Sequence, residues 1–474
     1  MKKICIIGAG VTGLGAACRL AEAGNCALTV IEREPAVGGL AASLKREGLA
    51  TDLGPHRLYT ELPEIKRLLP ELLGERMIKV QRKSAMLLEG GYVAYPIQPL
   101  ELARALGPWK PASYLGSFFW QAAFGRGDRE ASFAAWMNDA FGPALYRDLF
   151  EPYIAKTWKR PPEELDADIA RVRLSVGGLR QMFGDLLKGR RSSDKGALKE
   201  FHYVKGGIGG LIEALRQRAE AAGAKMLTGA TPVEIQQGES GAITRLVVKQ
   251  GDETLTVDAD AVVSTVPLPT LLPLLLKHRA EPVVDAALKR LRYLALTLVC
   301  LVVKRERISE NSWLYFPGCD IVFNRAYEAK NFDESMGAPG RSLLCCEVTR
   351  PREEQGDSAW LIEQTIEQLI RSGLFKREEL LDAFTHEVDW AYPIYHLGYR
   401  AELEQVVEYL KTWPNLLSVG RQGLFNHNNM DHCLAMGRAA ADCLTMAEGS
   451  SASESPAAAW GDCLSCFDHF RIVD

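Results

Sequence analysis

Lys2-Lys3-Ile4-Cys5-Ile6-Ile7-Gly8-Ala9-Gly10-Val11-Thr12-Gly13 is an apolar run that ends in glycines and opens a helical pattern, and its reading decides the fold. The run reads as a strand, the pattern from about Gly13 to Ala23 as a helix, and Ala27 to Ile31 as a second strand, which together make a βαβ unit. Gly8 allows the tight turn and Gly10 lets the backbone approach a pyrophosphate. With Ala9, Thr12 and Gly13 around them, the unpaired N–H groups of the helix N-terminus face the negative charge. Ala17, four residues past Gly13, is small enough for close helix packing. Glu32 closes the second strand 19 residues after Gly13, next to Arg33. A carboxylate there accepts from ribose hydroxyls and disfavours a 2′-phosphate, hence NADP. The bare alternative is a glycine turn with no ligand.

Outward from this unit, residues 81–200 change character. Aromatics interleave with helical patterns and proline-bearing loops, as in Trp109-Lys110-Pro111 and Arg160-Pro161-Pro162, which is the mark of an inserted domain. Leu115 to Phe124, with Phe118, Phe119 and Trp120, reads as helix core, against the alternatives of membrane docking or a cover for an apolar substrate. Lys188 to Lys195 reads as a solvated loop. A helix follows over Leu211–Ala222, then strands at 232–235, 243–249, 254–257 and 261–265. Residues 288–400 carry longer strands, including Leu294–Val303, and a polar helix at 358–372. Leu416–Val419 reads as a last strand, followed by a long turn and a helix from about Asp431 to Met446. Gly449–Ser455 reads as a linker to a short aromatic tail.

Composition excludes several classes. The 56 basic and 60 acidic residues leave a net charge of −4, so there is no global field to hold nucleic acid. No apolar run reaches the ~18 residues of a membrane span, and the start leaves no space for a signal-peptide core. Eleven scattered cysteines predict reduced thiols and a cytoplasmic protein. His386-Glu387-Val388-Asp389 lacks the second histidine of a zinc helix, and Cys463-Leu464-Ser465-Cys466 is a single CxxC, so no metal site is expected. No Gly-x-Ser-x-Gly elbow or P-loop occurs, and hydrolase and phosphoryl-transfer readings have no anchor.

Pro35-Ala36-Val37-Gly38-Gly39-Leu40-Ala41-Ala42-Ser43 places two glycines just after the acid, which lets the chain double back beside a dinucleotide. This resembles the FAD-binding superfamily of amine oxidases, protoporphyrinogen oxidases, phytoene desaturases and UDP-galactopyranose mutases. The resemblance implies an extended FAD, held at Gly39 and Leu40 and with the backbone of Val233 facing the adenine. Leu416-Leu417-Ser418-Val419-Gly420-Arg421-Gln422-Gly423, followed by Asn429-Met430-Asp431-His432, supports it. A helix N-terminus beneath the flavin pyrimidine would stabilise negative charge on the reduced ring, which brings in Gly420, Arg421, Asn429, Met430 and Asp431. Asp431 reads equally as an N-cap.

Within the superfamily the chain looks most like the UDP-galactopyranose mutases, through Asp52-Leu53-Gly54-Pro55-His56, Tyr95-Pro96-Ile97-Gln98, Trp313-Leu314-Tyr315-Phe316-Pro317 with Arg325, and Tyr392-Pro393. The resemblance implies that Arg325 and Arg421 clamp the diphosphate of a UDP-sugar, that Tyr315 and Tyr392 line the pocket, and that Tyr95 to Gln98 receive the uridine. A planar guanidinium offers paired bonds to phosphate oxygens, which gives the arginines a physical case of their own. Each arginine alone reads also as a solvated or salt-bridged residue, and the tyrosines as core aromatics. His427 stands where the mutases have a tyrosine, Pro55 where their mobile flavin loop has a glycine, and Ile154 in place of an asparagine. Proline fixes φ, so the redox-linked loop motion is expected to be lost. His427 and His56 are acid/base candidates or ordinary hydrogen-bonded histidines.

The expected architecture is α/β: a discontinuous Rossmann-type FAD domain at 1–80, 197–287 and 401–448, an inserted mixed α+β substrate domain at 81–196 and 288–400, and a tail at 449–474. Two activities are carried forward. One is ring interconversion of a UDP-sugar through reduced flavin, with NAD(P)H as external reductant. The other is oxidation of an amine, porphyrinogen or polyene-like substrate.

Overall fold

A computed structural model describes residues 1–89, 91–95, 99–125, 127–173, 199–354, 356–446 and 455–467. The first strand, β1 (Lys2–Ile7), buries Ile4, Cys5, Ile6 and Ile7 on both faces, as a central parallel strand must. It is flanked by Ala261–Ser264 and by β2 (Cys26–Ile31), and Leu416–Ser418 and Lys225–Leu227 complete a five-stranded sheet whose neighbouring strands are all parallel. Three separate stretches of chain build this sheet, so the Rossmann unit is discontinuous, as expected. A three-stranded antiparallel sheet, Ala230–Gln237, Ile243–Gln250 and Glu253–Asp258, leads off from its edge.

The helix after β1, α1 (Val11–Ala23), starts at Gly10 with no side-chain cap and stops at Gly24, which is left-handed at φ 72°. It crosses the Met430–Met446 helix at close range because both are small where they meet. A Cβ on Gly15 would stand 2.7 Å from Leu434, and one on Gly437 would overlap the Thr12 carbonyl.

The second layer is a seven-stranded mixed sheet, ordered Leu380–Pro393, Tyr293–Val303, Ser342–Pro351, Arg325–Glu328, Trp313–Tyr315, Ser84–Leu88 and Gly91–Ala94. Tyr293–Val303 is buried along its full length, which accounts for its unbroken apolar sequence. Helices cover this sheet over Pro99–Arg173 and Ser358–Arg371. The fold class is the expected one.

Two expectations change. The Trp109–Phe124 helix is not core: Phe118 is buried, but Phe119, Trp120 and Phe124 are exposed, because the neighbouring helices cover only one of its faces. The aromatic tail is a docked helix, Pro456–Leu464, in which Ser455 accepts from the Ala458 N–H and the buried Trp460 donates to the Ser418 carbonyl at 3.1 Å. The Lys188–Lys195 loop and residues 449–454 of the linker lie outside the described residues. Among the described residues no helix is long and apolar enough to cross a membrane.

Candidate functional site

The glycine turn after β1 is held from below. Gly8 adopts φ +100°, and a Cβ on Gly13 would overlap the Gly8 carbonyl, so turn and helix close on each other only without side chains. Above the turn, Gly38 returns in a parallel bridge to Gly10 and its N–H donates to the Ala9 carbonyl at 2.9 Å. Gly39 takes φ +53° beside it, ahead of the half-buried Leu40. The N–H groups that open α1 are thus framed by two bare backbones.

Glu32 is buried and does more than the sequence suggested. Its Oε2 accepts from the Ala9 N–H at 2.7 Å and its Oε1 from the Glu34 N–H at 2.9 Å, tying the turn to the end of β2. Arg33 pairs with Glu34 at the surface. Val233 lies on the strand that leaves this corner, where the Ala230 N–H donates to the Glu32 carbonyl. The ladder skips it: Pro232 pairs with Val248 and Glu234 with Val247, so Val233 is the bulge residue and its side chain is exposed.

The third wall comes from the far end of the chain. Gly420 adopts φ +81°, and a Cβ there would stand 2.5 Å from Thr12 Oγ1, so the two segments touch through Thr12. Arg421 donates from Nη1 to the Asn428 carbonyl at 2.8 Å and from Nη2 to the Ala391 carbonyl at 3.0 Å, with its guanidinium 5.3 Å from the Tyr392 ring. The Met430–Met446 helix begins at Met430, so Asp431 lies inside its first turn and is not the N-cap. The Asn429 N–H is met instead by His432 Nδ1 at 3.4 Å. Asp431 Oδ1 is buried with no hydrogen-bond partner.

Against this cradle lies a second group of residues carried by the seven-stranded sheet. Tyr315, Arg325 and Glu347 are direct neighbours on three adjacent strands. Arg325 donates from Nε and Nη2 to the two oxygens of Glu347 at 2.5 and 3.0 Å. The Gly54-Pro55-His56 loop packs on this pair, since a Cβ on Gly54 would stand 3.1 Å from Glu347 Oε1. The entry to the loop is pinned by one hydroxyl. Tyr327 donates to the Asp52 carbonyl at 2.6 Å and accepts from the Gly54 N–H at 3.1 Å. Burial, then the guanidinium groups of Arg325 and Arg421, push the His56 imidazole down to about 4, and its Nδ1 is buried without a partner. Both arginines therefore act on one buried, neutral histidine.

Tyr392 stands with this group, 6.0 Å from the His427 ring in a stacked arrangement. His427 is fully buried, and its Nε2–H donates to the Pro393 carbonyl at 2.9 Å. Its backbone N–H donates to the Tyr395 hydroxyl at 2.8 Å. Tyr95 lies 5.1 Å from Tyr315 at the other end of the pocket. Gln98 lies outside the described residues.

One short helix, Glu151–Trp158, holds both walls. Tyr153 packs edge-on to Tyr315 at 6.1 Å, while Trp158 packs on Tyr392 at 6.2 Å and on His427 at 5.2 Å. Between them, the Lys156 ammonium sits within hydrogen-bond reach of the carbonyls of Phe316, Gly318, Ile321 and Phe323, in the loop that joins the Tyr315 strand to the Arg325 strand.

Sequence reasoning missed Glu347, Tyr327 and Arg82. Glu347 did leave a signal, as a lone acid inside the apolar strand Ser342–Pro351, where burial demands a cation. Arg82 has Nε and Nη1 buried without a hydrogen-bond partner, and its guanidinium lies 5.8 Å from the Tyr95 ring and 5.4 Å from Trp313. Nothing in its local sequence sets it apart.

Residues 11–445 match the profile of a family described as flavin containing amine oxidoreductase. The chain belongs to this family. Its fold is that of a reduced UDP-galactopyranose mutase, which superposes over 100% of both chains with a TM-score of 0.81 at 24% identity. Putrescine oxidase bound to putrescine superposes over 94% of this chain and 99% of its own, with a TM-score of 0.60 at 19% identity. Protoporphyrinogen oxidase 2 of Arabidopsis thaliana is 24% identical over 336 residues, 65% of this chain, and the match spans 65% of the plant protein's length.

Family membership makes the chain a flavoenzyme and implies FAD, and the residues fit it. The uncapped start of α1 between Gly10 and Gly38 suits a pyrophosphate, and the bulged Val233, on the strand that leaves Glu32, suits an adenosine. The orphaned Asp431 Oδ1 and His56 Nδ1 suit a polar ring held over the start of the Met430–Met446 helix.

Proposed function

We propose that the chain acts on a UDP-sugar, interconverting its ring forms through reduced FAD. The observation that carries this reading is the pair of arginines among the pocket tyrosines: Arg325 is the cross-strand neighbour of Tyr315, and the Arg421 guanidinium lies 5.3 Å from the Tyr392 ring. Two guanidinium groups offer planar donors to a diphosphate, one of them already engaged by Glu347, and suit a purely apolar substrate poorly.

When bound and reduced, the flavin supplies the electron-rich partner that opening and reclosing a sugar ring requires. The chain's residues do the rest. Arg325 and Arg421 hold the diphosphate as UDP gains leaving-group charge, and Tyr315 and Tyr392 orient it. Tyr95 and Gln98 take the uridine, with Arg82 beside them. His56 is uncharged at neutral pH and offers a hydrogen bond rather than a charge. His427, wedged between Trp158 and Tyr392, serves to hold Tyr392 in place. The loop carrying Pro55 stays fixed under Tyr327 in both redox states. External NAD(P)H reduces the flavin, and the ring interconversion itself consumes no electrons. We place the reaction in the cytoplasm, a reducing compartment in which all eleven cysteines persist as thiols, and we assign the boundaries given above to the FAD and substrate domains.

A second reading, oxidation of an apolar substrate, draws support from the Glu347 carboxylate that balances Arg325 and from the aromatic walls of the pocket. UDP titration into the FAD-loaded protein, oxidised and anaerobically reduced, followed by flavin and tryptophan fluorescence, separates the two. Saturable binding that tightens on reduction is expected, with at least a tenfold loss in Arg421→Ala, on the order of 1.4 kcal/mol for a charge-assisted bond. No binding in either redox state overturns the UDP-sugar reading and leaves the oxidase.

A further inference from the structure

The Cys463-Leu464-Ser465-Cys466 stretch takes no part in the cradle or the pocket, and the fold gives its first thiol a partner from another helix. Cys443, near the end of the Met430–Met446 helix, and Cys463, near the end of the Pro456–Leu464 helix, bring their sulfurs to 3.8 Å. Cys443 is buried and Cys463 half-buried, so solvent reaches the pair through Cys463. Burial, then the neighbouring Cys463, pushes the Cys443 thiol up to about 12. A buried thiol that stays protonated is slow to react, and Cys463 is the sulfur that meets an oxidant first. Cys300 and Cys345 come closer, at 3.4 Å, but both are fully buried on adjacent strands and present no sulfur to a solute. Among the described residues no three His, Cys, Asp or Glu side chains are grouped to hold a metal ion, so the exposed Cys466 does not complete a metal site with the pair.

The pair sits on the seam between the tail and the cradle. Ala457 and Trp460 are buried, and their helix packs on Met430–Met446 and on Leu416–Ser418. Trp460 donates to the Ser418 carbonyl, and the Ser418 hydroxyl donates to the Gly423 carbonyl at 2.7 Å, across the turn that sets Gly420 against Thr12. The tail helix therefore backs the third wall of the cradle. A bond from Cys443 to Cys463 would close a loop of about 20 residues, and a cross-link of that span removes much of the freedom the tail gains on undocking.

We propose that Cys443 and Cys463 form a peroxide-responsive thiol pair, whose disulfide fastens the tail helix behind the flavin cradle. In a reducing compartment both rest as thiols. Hydrogen peroxide supplies the oxidation. The Cys463 thiolate attacks one peroxide oxygen, the O–O bond breaks, and Cys463 becomes a sulfenic acid while the departing hydroxide takes up the proton that the thiol had lost. The Cys443 sulfur then attacks the Cys463 sulfur. The S–O bond breaks, the S–S bond forms, and the hydroxyl leaves with the Cys443 proton as water. Two thiols are oxidised to one disulfide, and one peroxide is reduced to two waters. The sulfurs have to close from 3.8 Å to a bonded distance of about 2.05 Å, a movement of the size that rotation about the two Cα–Cβ bonds provides.

Treating the full FAD-loaded chain with a small excess of hydrogen peroxide, then mapping its peptides by mass spectrometry without reduction, tests this. A peptide that joins Cys443 to Cys463 and is released by dithiothreitol is expected. The oxidised chain should release FAD about threefold more slowly on dilution, read by flavin fluorescence, and dithiothreitol should restore the original rate. Cys443→Ser should release FAD as reduced wild type does, with no change after peroxide, whereas Cys466→Ser should still form the cross-link. Cys463 that stops at sulfinic acid overturns the inference, as does a bond from Cys463 to Cys466 in place of Cys443. FAD release that is unchanged in fully cross-linked wild type overturns the link from the tail to the cradle.

Discussion

The dinucleotide cradle and the pocket that faces it are built by opposite means. The cradle is backbone: Gly8, Gly10, Gly13, Gly38 and Gly420 bring chain against chain, and side chains enter mainly as spacers, as Thr12 does beside Gly420. The pocket is side chain: Tyr315, Arg325 and Glu347 lie in a row across three strands and owe their geometry to ion pairing and ring contacts. A backbone site fails abruptly, because a single methylene has nowhere to go. A side-chain site degrades by degrees, because each charge or ring can be altered alone.

The largest effect should come from breaking the cradle. Gly13→Val forces a branched side chain into the Gly8 carbonyl, and the purified protein should carry less than about a tenth of the wild-type flavin absorbance, an overpacking cost of several kcal/mol. Flavin retained near stoichiometry would mean that the turn yields more than this packing allows. A smaller effect, of the opposite sign, is expected in the pocket. Glu347→Gln keeps the shape beside Arg325 but removes the balancing charge, so UDP affinity measured by calorimetry should rise about fivefold, close to 1 kcal/mol. A tenfold loss instead would show that Glu347 matters for aiming Arg325 more than for balancing it.

A third effect, spread over a pH range, lies where the two regions meet. Asp52 is buried and accepts from Ser43 Oγ at 2.5 Å, from the Tyr203 hydroxyl and from the Ile208 N–H at 3.0 Å. Burial raises its pKa to about 6 from an ordinary 3.8. Between those values the folded chain holds the proton more tightly than the unfolded one, so this contribution is complete below pH 3.8 and is lost as pH rises through 6. The melting-temperature advantage of wild type over Asp52→Asn should therefore shrink by a few degrees between pH 4.5 and 7.5, for a free-energy change of about 2–3 kcal/mol. An advantage that grows with pH would refute the assignment.

The same contrast explains what could be read before the structure. The cradle's determinants are consecutive residues whose spacing carries the geometry, so Gly8 to Gly13, Gly38-Gly39 and the start of the Met430–Met446 helix were legible. Arg325 and Arg421 are about a hundred residues apart, and only the superposition of two strands and a turn brings them to His56. Glu347 and Tyr327 act through contacts across strands, which no local pattern encodes. The Trp109–Phe124 helix was misread for a related reason: aromatic content shows that a helix has apolar faces but not how many of them the rest of the chain can cover.

Glu151–Trp158 has a bearing on descent. Because one short helix fixes the Tyr315 side through Tyr153 and Lys156 and the Tyr392 side through Trp158, the width of the pocket is set by a single rigid piece. A lineage can then exchange one substrate for a bulkier one by tilting that piece, while the flavin chemistry beneath is inherited intact. Two walls that were independently mounted would need matched changes at distant positions, each harmful until the other arrived.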